Sequence, residues 1–92
     1  MLNTIDKNKY IHMVGIGGVS MSGIAEILLS MGFKISGSDN NASDTTKRLE
    51  SNGIKICIGQ SEKNINNDIA LVAYTAAIKQ DNPELVEARK RN

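Results

Sequence analysis

The sequence has no tryptophan, one cysteine, one proline, two tyrosines and one phenylalanine in 92 residues. Eleven Lys and Arg stand against ten Asp and Glu, which leaves a formal charge of +1. Each shortage excludes something. With Tyr10, Phe33 and Tyr74 as its only aromatics, the chain must build its core from aliphatic side chains. Domains commonly run to about 100–150 residues, so this is one small domain, not two lobes closing on a substrate. Such a chain buries only about 60–65% of its unfolded surface, and the core must be economical. The near-zero charge gives no electrostatic footprint for nucleic acid, since the basic residues are scattered apart from Arg89-Lys90-Arg91 at the end. Cys57 has no internal partner and no Cys/His cluster around it. It reads as a small buried apolar residue in a reducing compartment, the cytoplasm by default. Residues 1–9 are polar, and no apolar run approaches the roughly 18–20 residues of a membrane span, so secretion and membrane insertion are both disfavoured.

The glycines punctuate what remains. Tyr10-Ile11-His12-Met13-Val14 is a short apolar run ending at Gly15, which predicts a first strand. Gly15-Ile16-Gly17-Gly18 turns the chain. Met21, Ile24, Ala25, Leu28 and Met31 then recur at helical spacing up to Gly32. Between Tyr10 and Phe33 the only formally charged residue is Glu26, which predicts a helix covered over much of its surface. Residues 33–37 form a second strand ending in Ser38-Asp39. Ser43 caps a polar helix that runs to about Asn52 before Gly53. Ile54, Ile56 and Ile58 alternate with Lys55 and Cys57 as a third strand. A polar connection over residues 64–68, with room for one helical turn, leads to Ile69-Ala70-Leu71-Val72-Ala73, a run of the fully buried parallel-strand type. Asn82-Pro83-Glu84 opens a last helix, with a cap, a proline at its first position and an acid in its first turn.

Strands alternating with helices predict an α/β fold: a Rossmann-like open parallel sheet of order 3-2-1-4 with flanking helices. Such a sheet normally continues into a fifth strand. The chain ends before one, which leaves an apolar fourth strand as an edge and leads us to expect a longer natural polypeptide. We therefore expect residues 1–92 to be a single domain. Ligands bind such sheets outside the carboxyl ends of the strands, where the order reverses between strands 1 and 4.

Four segments meet that rule: residues 15–20, 38–41, 59–60 and 75–78. In the first, Gly15 and Gly17 permit a tight turn and close backbone approach to a pyrophosphate at a helix N-terminus, with the amides of Gly17, Gly18 and Val19 as candidate donors. No Lys or Arg lies in the loop, so binding there rests on amides, the helix dipole and the Ser20 hydroxyl. The string G-x-x-x-x-G-K-[ST] is absent, and with it ATP hydrolysis by this domain alone. Ser20 occupies the third glycine position of the dinucleotide fingerprint G-x-G-x-x-G. Asp39, about 20 residues further on, is placed as a ribose-hydroxyl acceptor would be. His12 lies inside a strand and reads as a buried structural imidazole, and Met13, Met21 and Met31 read as core filler. There is no carboxylate pair of glycosidase type, no Ser/His/Asp trio and no metal-ligand cluster, so no catalytic or metal-binding residue is assigned. On the residues alone two other readings stay open: an NAD-binding domain of a dehydrogenase or regulatory protein, and a structural module that binds no nucleotide.

Ile11-His12-Met13-Val14-Gly15-Ile16-Gly17-Gly18-Val19-Ser20-Met21-Ser22-Gly23-Ile24-Ala25, Ser36-Gly37-Ser38-Asp39, Gly53-Ile54, Thr75-Ala76-Ala77-Ile78 and Asp81-Asn82-Pro83-Glu84 together resemble the N-terminal domain of the muramyl ligases, in the branch that joins L-alanine to UDP-N-acetylmuramate. The five matches occur in order over nearly the whole chain. Ser20 and Gln60 depart from the pattern, standing where that family commonly has glycine and histidine. The resemblance implies an ATP-dependent ligase of peptidoglycan synthesis. Its N-terminal domain holds the UDP of the substrate, a central domain carries the P-loop with ATP and magnesium, and a C-terminal domain helps to bind the amino acid. It implies that Gly15, Gly17, Gly18, Val19 and Ser20 face the diphosphate, that Ser38, Asp39 and Asn40 face the uridine side, and that Thr75, Ala76 and Ala77 line the pocket. It implies no cofactor in this domain, and as partners the substrate UDP-N-acetylmuramate and the remaining ligase domains.

Overall fold

The computed structural model describes residues 5–91. In chain order the elements are β1 (Tyr10–Val14), α1 (Val19–Ser30), β2 (Lys34–Asp39), α2 (Asp44–Ser51), β3 (Lys55–Ile58), a single 3-10 turn (Glu62–Asn64), β4 (Ile69–Ala73) and α3 (Pro83–Arg91). The four strands form one parallel sheet in the order β3-β2-β1-β4, as the alternation of strands and helices predicts. Ile11 and Met13 of β1 lie opposite Ile35 and Gly37 of β2. Ile11, Met13 and Ile35, with Ile16, Met21, Ala25, Phe33, Leu49 and Ile54, make the apolar core beneath α1 and α2. The alternate positions, His12 opposite Ser36 and Val14 opposite Ser38, face the other way. That face is covered by α3 through Glu84 and Leu85.

Local chemistry explains where the helices stop and start. Gly32 follows the α1 C-cap with φ +94°. Phe33 N–H donates to Leu28 C=O at 3.2 Å and Gly32 N–H to Leu29 C=O at 3.0 Å, the paired bonds of a Schellman turn that only glycine enters without strain. Ser43 caps α2, its hydroxyl accepting from Thr46 N–H at 3.1 Å while the Thr46 hydroxyl accepts from Ser43 N–H at 2.8 Å. Asn82 caps α3 by accepting Glu84 N–H at 2.9 Å.

Five expectations are corrected. α1 is not a covered helix. Val19 is 93% and Ile27 61% exposed, because the helix packs on the sheet with one side only and its outer side carries apolar residues all the same. Met31, on that outer side, is exposed and fills no core. β4 is only half buried: its outer edge is unpaired, and a groove of about 560 Å³ runs beside it against Leu85 and Ala88 of α3. Cys57 is likewise half-buried, and burial, with the Glu84 charge adding to it, pushes its thiol pKa up against the pull of Lys55. The helical turn expected over residues 64–68 lies slightly earlier, at Glu62–Asn64. No helix among the described residues is long and apolar enough to cross a membrane.

Candidate functional site

The glycine loop leaves β1 in a shape that its own hydrogen bonds define. Gly15 takes φ +79°, a region open to glycine. Gly15 N–H and Ile16 N–H both donate to the Ser38 carbonyl, at 2.8 and 3.0 Å. Gly18 N–H closes the turn on Gly15 C=O at 3.1 Å, and Gly17 N–H donates to Asp39 Oδ2 at 2.9 Å. α1 then begins without a side-chain cap and without an acidic residue in its first turn. Ser22 N–H makes its first backbone bond, to Gly18 C=O. Among the described residues nothing accepts from the amides of Val19, Ser20 and Met21, and Val19 and Ser20 are exposed. Three convergent donors on the positive end of a helix dipole form an anion-receptive surface.

The sheet brings the other expected segments to this end of the molecule with unequal results. Gly17 and Gly18 use their own amides inside the loop, so the free donors lie one to three residues beyond Gly18. Gly18 leaves open space beside them, and Gly17 allows close packing. A Cβ at Gly18 would meet nothing closer than Gly15 C=O at 3.5 Å, whereas one at Gly17 would sit 2.8 Å from Asp39 Oδ2 and 3.1 Å from Thr46 Cγ2. Asp39 is half-buried and bound to the loop, with Asn41 N–H at 3.4 Å from its Oδ1, and Asn40 is exposed beside it. Thr75, Ala76 and Ala77 are exposed in the segment after β4. Ala77 N–H donates to Thr75 Oγ1 at 3.3 Å, and Ile78 closes on the loop, its Cδ1 3.0 Å from where a Gly15 Cβ would stand. Ser38 departs from expectation: its side chain is fully buried on the opposite side of the sheet from Asp39, with Oγ donating to Glu84 at 2.7 Å. Period-2 alternation sends successive side chains to opposite faces, so Ser38 and Asp39 cannot both face one ligand. Ser38 offers the loop its carbonyl instead. Gln60, at the end of β3, accepts from Asn82 Nδ2 at 2.7 Å.

A second cluster lies under the sheet. His12 and Glu84 are 1% and 0% exposed, with His12 Nε2 2.7 Å from Glu84 Oε1. A carboxylate only accepts, so Nε2 carries the proton of that bond, and Nδ1 pairs with Ser36 Oγ at 2.8 Å. Glu84 Oε1 also accepts from Ser38 Oγ, while Oε2 accepts from Asn64 Nδ2 at 2.7 Å and Ser61 N–H at 3.1 Å. Four donors fill the roughly four lone-pair sites of the carboxylate. Burial alone would raise the Glu84 pKa, but the bonds from His12, Asn64 and Ser38 outweigh it and hold it below the usual range. His12 is thus the structural imidazole its strand position predicts. Glu84 was legible only as a helix-dipole acid. The signal for its larger role is the polar stripe His12, Ser36 and Ser38 on buried strands, which demands a partner.

The model of the Mur ligase family, catalytic domain, matches residues 10–92. The chain belongs to the Mur ligase family. Among curated Mur ligases, the UDP-N-acetylmuramate–L-alanine ligase of Clostridium acetobutylicum is 60% identical over 87 residues, which cover 95% of this chain and 19% of that protein. The enzyme of the same name from Acetivibrio thermocellus is 57% identical over 90 residues, covering 96% and 19%. In three dimensions the chain superposes on the UDP-N-acetylmuramate-alanine ligase of Thermotoga maritima with a TM-score of 0.83, at 38% identity over 90% of this chain and 19% of that one. A UDP-N-acetylmuramate:L-alanyl-γ-D-glutamyl-meso-diaminopimelate ligase from Neisseria meningitides gives 0.77 at 29% identity, over 90% and 26%. The chain thus spans about a fifth of the length of the curated Mur ligases it matches.

Proposed function

We propose that this chain holds the UDP part of UDP-N-acetylmuramate for a cytoplasmic, ATP-dependent ligase that adds L-alanine in peptidoglycan synthesis. The observation that carries the reading is the uncapped, uncharged N-terminus of α1 behind a glycine turn, in a chain 60% identical to a ligase named for that substrate. The diphosphate lies over Gly18 and accepts from the amides of Val19, Ser20 and Met21, with the Ser20 hydroxyl beside them. Asp39 and Asn40 face the uridine, and Thr75, Ala76 and Ala77 form the facing wall. No basic side chain is needed, because amides fixed by the fold meet the charge without reorganising.

The loop does not fit ATP and magnesium. It has no lysine to reach β and γ phosphates and no carboxylate in the first turn of α1. The reacting groups therefore belong to further domains of the native polypeptide. This domain contributes by clamping the distant nucleotide, so that remote binding energy orients the carboxylate to be activated.

The test is an equilibrium titration of the native polypeptide with UDP-N-acetylmuramate, UDP and NAD, repeated on Gly18→Val. The fold has room for a Cβ there at φ −66°, and the valine methyls are expected to compete with the proposed diphosphate. Saturable binding of the UDP ligands and not NAD, weakened at least about tenfold in the variant, a difference of about 1.4 kcal/mol, is the expected result. Tight NAD binding, or equal UDP affinity in both proteins, refutes the assignment.

A further inference from the structure

We propose that Glu84 is a positioning residue that sets the height of the glycine loop and the width of the cleft above it. This inference rests on the reading of that loop as a diphosphate site. A chain of bonds carries it. Glu84 Oε1 accepts the Ser38 hydroxyl at 2.7 Å beneath the sheet, and the carbonyl of the same Ser38 accepts Gly15 N–H and Ile16 N–H at 2.8 and 3.0 Å. Fixing the side chain of a fully buried residue fixes its peptide plane, and two consecutive loop amides hang on that plane. The next residue, Asp39, takes the third amide, that of Gly17. Glu84 also ends the facing wall. The connection from β4 that holds Thr75, Ala76, Ala77 and Ile78 runs into the cap Asn82 and the first turn of α3, where Glu84 sits. Ile78 from this connection packs against Gly15. One buried carboxylate therefore anchors both sides of the cleft. A group serving only as a tie between α3 and the sheet would need His12 and no bond to the residue that carries the loop.

Neighbouring serines separate the positioning role from a structural one. Ser36 and Ser38 are both buried on the same face of β2. Ser36 bonds His12 Nδ1, whereas Ser38 bonds Glu84 and carries the loop. Ser38→Ala and Ser36→Ala each remove one buried hydroxyl from the network, so a merely structural network responds alike to both. The experiment measures UDP-N-acetylmuramate affinity and amide hydrogen exchange at Gly15 and Ile16, in the native polypeptide and each variant. We expect Ser38→Ala to weaken affinity on the order of tenfold and to speed exchange at both amides, with Ser36→Ala matching the unsubstituted protein in both. Equal affinities, or equal losses in the two variants, overturn the positioning role while leaving the diphosphate site standing. Failure of the unsubstituted protein to bind removes the site and this inference with it, whereas the exchange comparison reads the coupling without any ligand. Glu84→Gln, where it folds, is expected to follow Ser38→Ala.

Discussion

At the scale of single residues, the glycines of this chain do different work at closely spaced positions. Gly15 and Gly32 are required by positive φ, and Gly18 leaves open space above an N-terminus. Gly37 is required by packing: a Cβ there would stand 2.5 Å from Ile16 Cδ1 and 2.8 Å from Met13 C=O. The first of these atoms belongs to the fully buried loop residue and the second to backbone, so neither yields cheaply. Gly37→Ala is therefore expected to cost about 1–3 kcal/mol, read as a fall of at least several degrees in the thermal midpoint. A midpoint equal to that of the unsubstituted protein would show that Ile16 can move aside. The turn glycines were legible because conformation is a local property of the chain. The role of Gly37 was not, because the side chain that forbids a Cβ arrives from 21 positions earlier.

Among the elements, α3 shows how far local signals reach. Asn82 as cap and Pro83 at the first position fix where the helix starts, and both follow from the order of residues. The face it buries does not follow from its own sequence. Glu84 reads as an acid suited to the helix dipole, and its four buried bonds become visible only once β1 and β2 bring His12, Ser36 and Ser38 to one face. α1 gives the opposite lesson: its uncharged outer side read as covered, yet apolarity records only that a surface tolerates burial.

The charge on Glu84 makes a further prediction at this scale. The group is surrounded by His12 from β1, Ser38 from β2, Ser61 and Asn64 from the turn before β4, and the Cys57 thiol of β3 with Lys55 beyond it. Its folded pKa lies below the unfolded one. Ionised Glu84 therefore contributes stability at all pH above the ordinary carboxylate range, and that contribution is lost as pH falls through about 4 toward the lower folded value. Chemical denaturation across pH 3–7 should show a decline on the acid side that is shallower in Glu84→Gln. Parallel profiles would mean that the carboxylate is not held in its charged form. Removing the group in Glu84→Ala, which strands several buried donors, should cost about 3–5 kcal/mol, a large part of the stability of a small domain.

On the scale of the whole molecule, the strand order followed from reading the alternation of strands and helices as a Rossmann-like sheet, and the same reading leads us to propose the site at the carboxyl ends of the strands. The split of adjacent residues between the two faces of the sheet was less accessible. Ser38 and Asp39 are adjacent in sequence and face opposite layers, so a segment named as a unit divides into a carbonyl tether below and a carboxylate above. Of the three amides expected as donors, Gly17 and Gly18 are used inside the loop, and Val19 remains, joined by Ser20 and Met21 of the first turn of α1. The most direct measurement is therefore residue-resolved: amide chemical shifts of the labelled native polypeptide titrated with UDP-N-acetylmuramate. The account predicts the largest saturable shifts at Val19, Ser20 and Met21, with smaller ones at Asn40 and Ala76 and none of comparable size with NAD. Saturation with shifts confined to the β4 groove near Leu85 and Ala88, or larger responses to NAD, would contradict it.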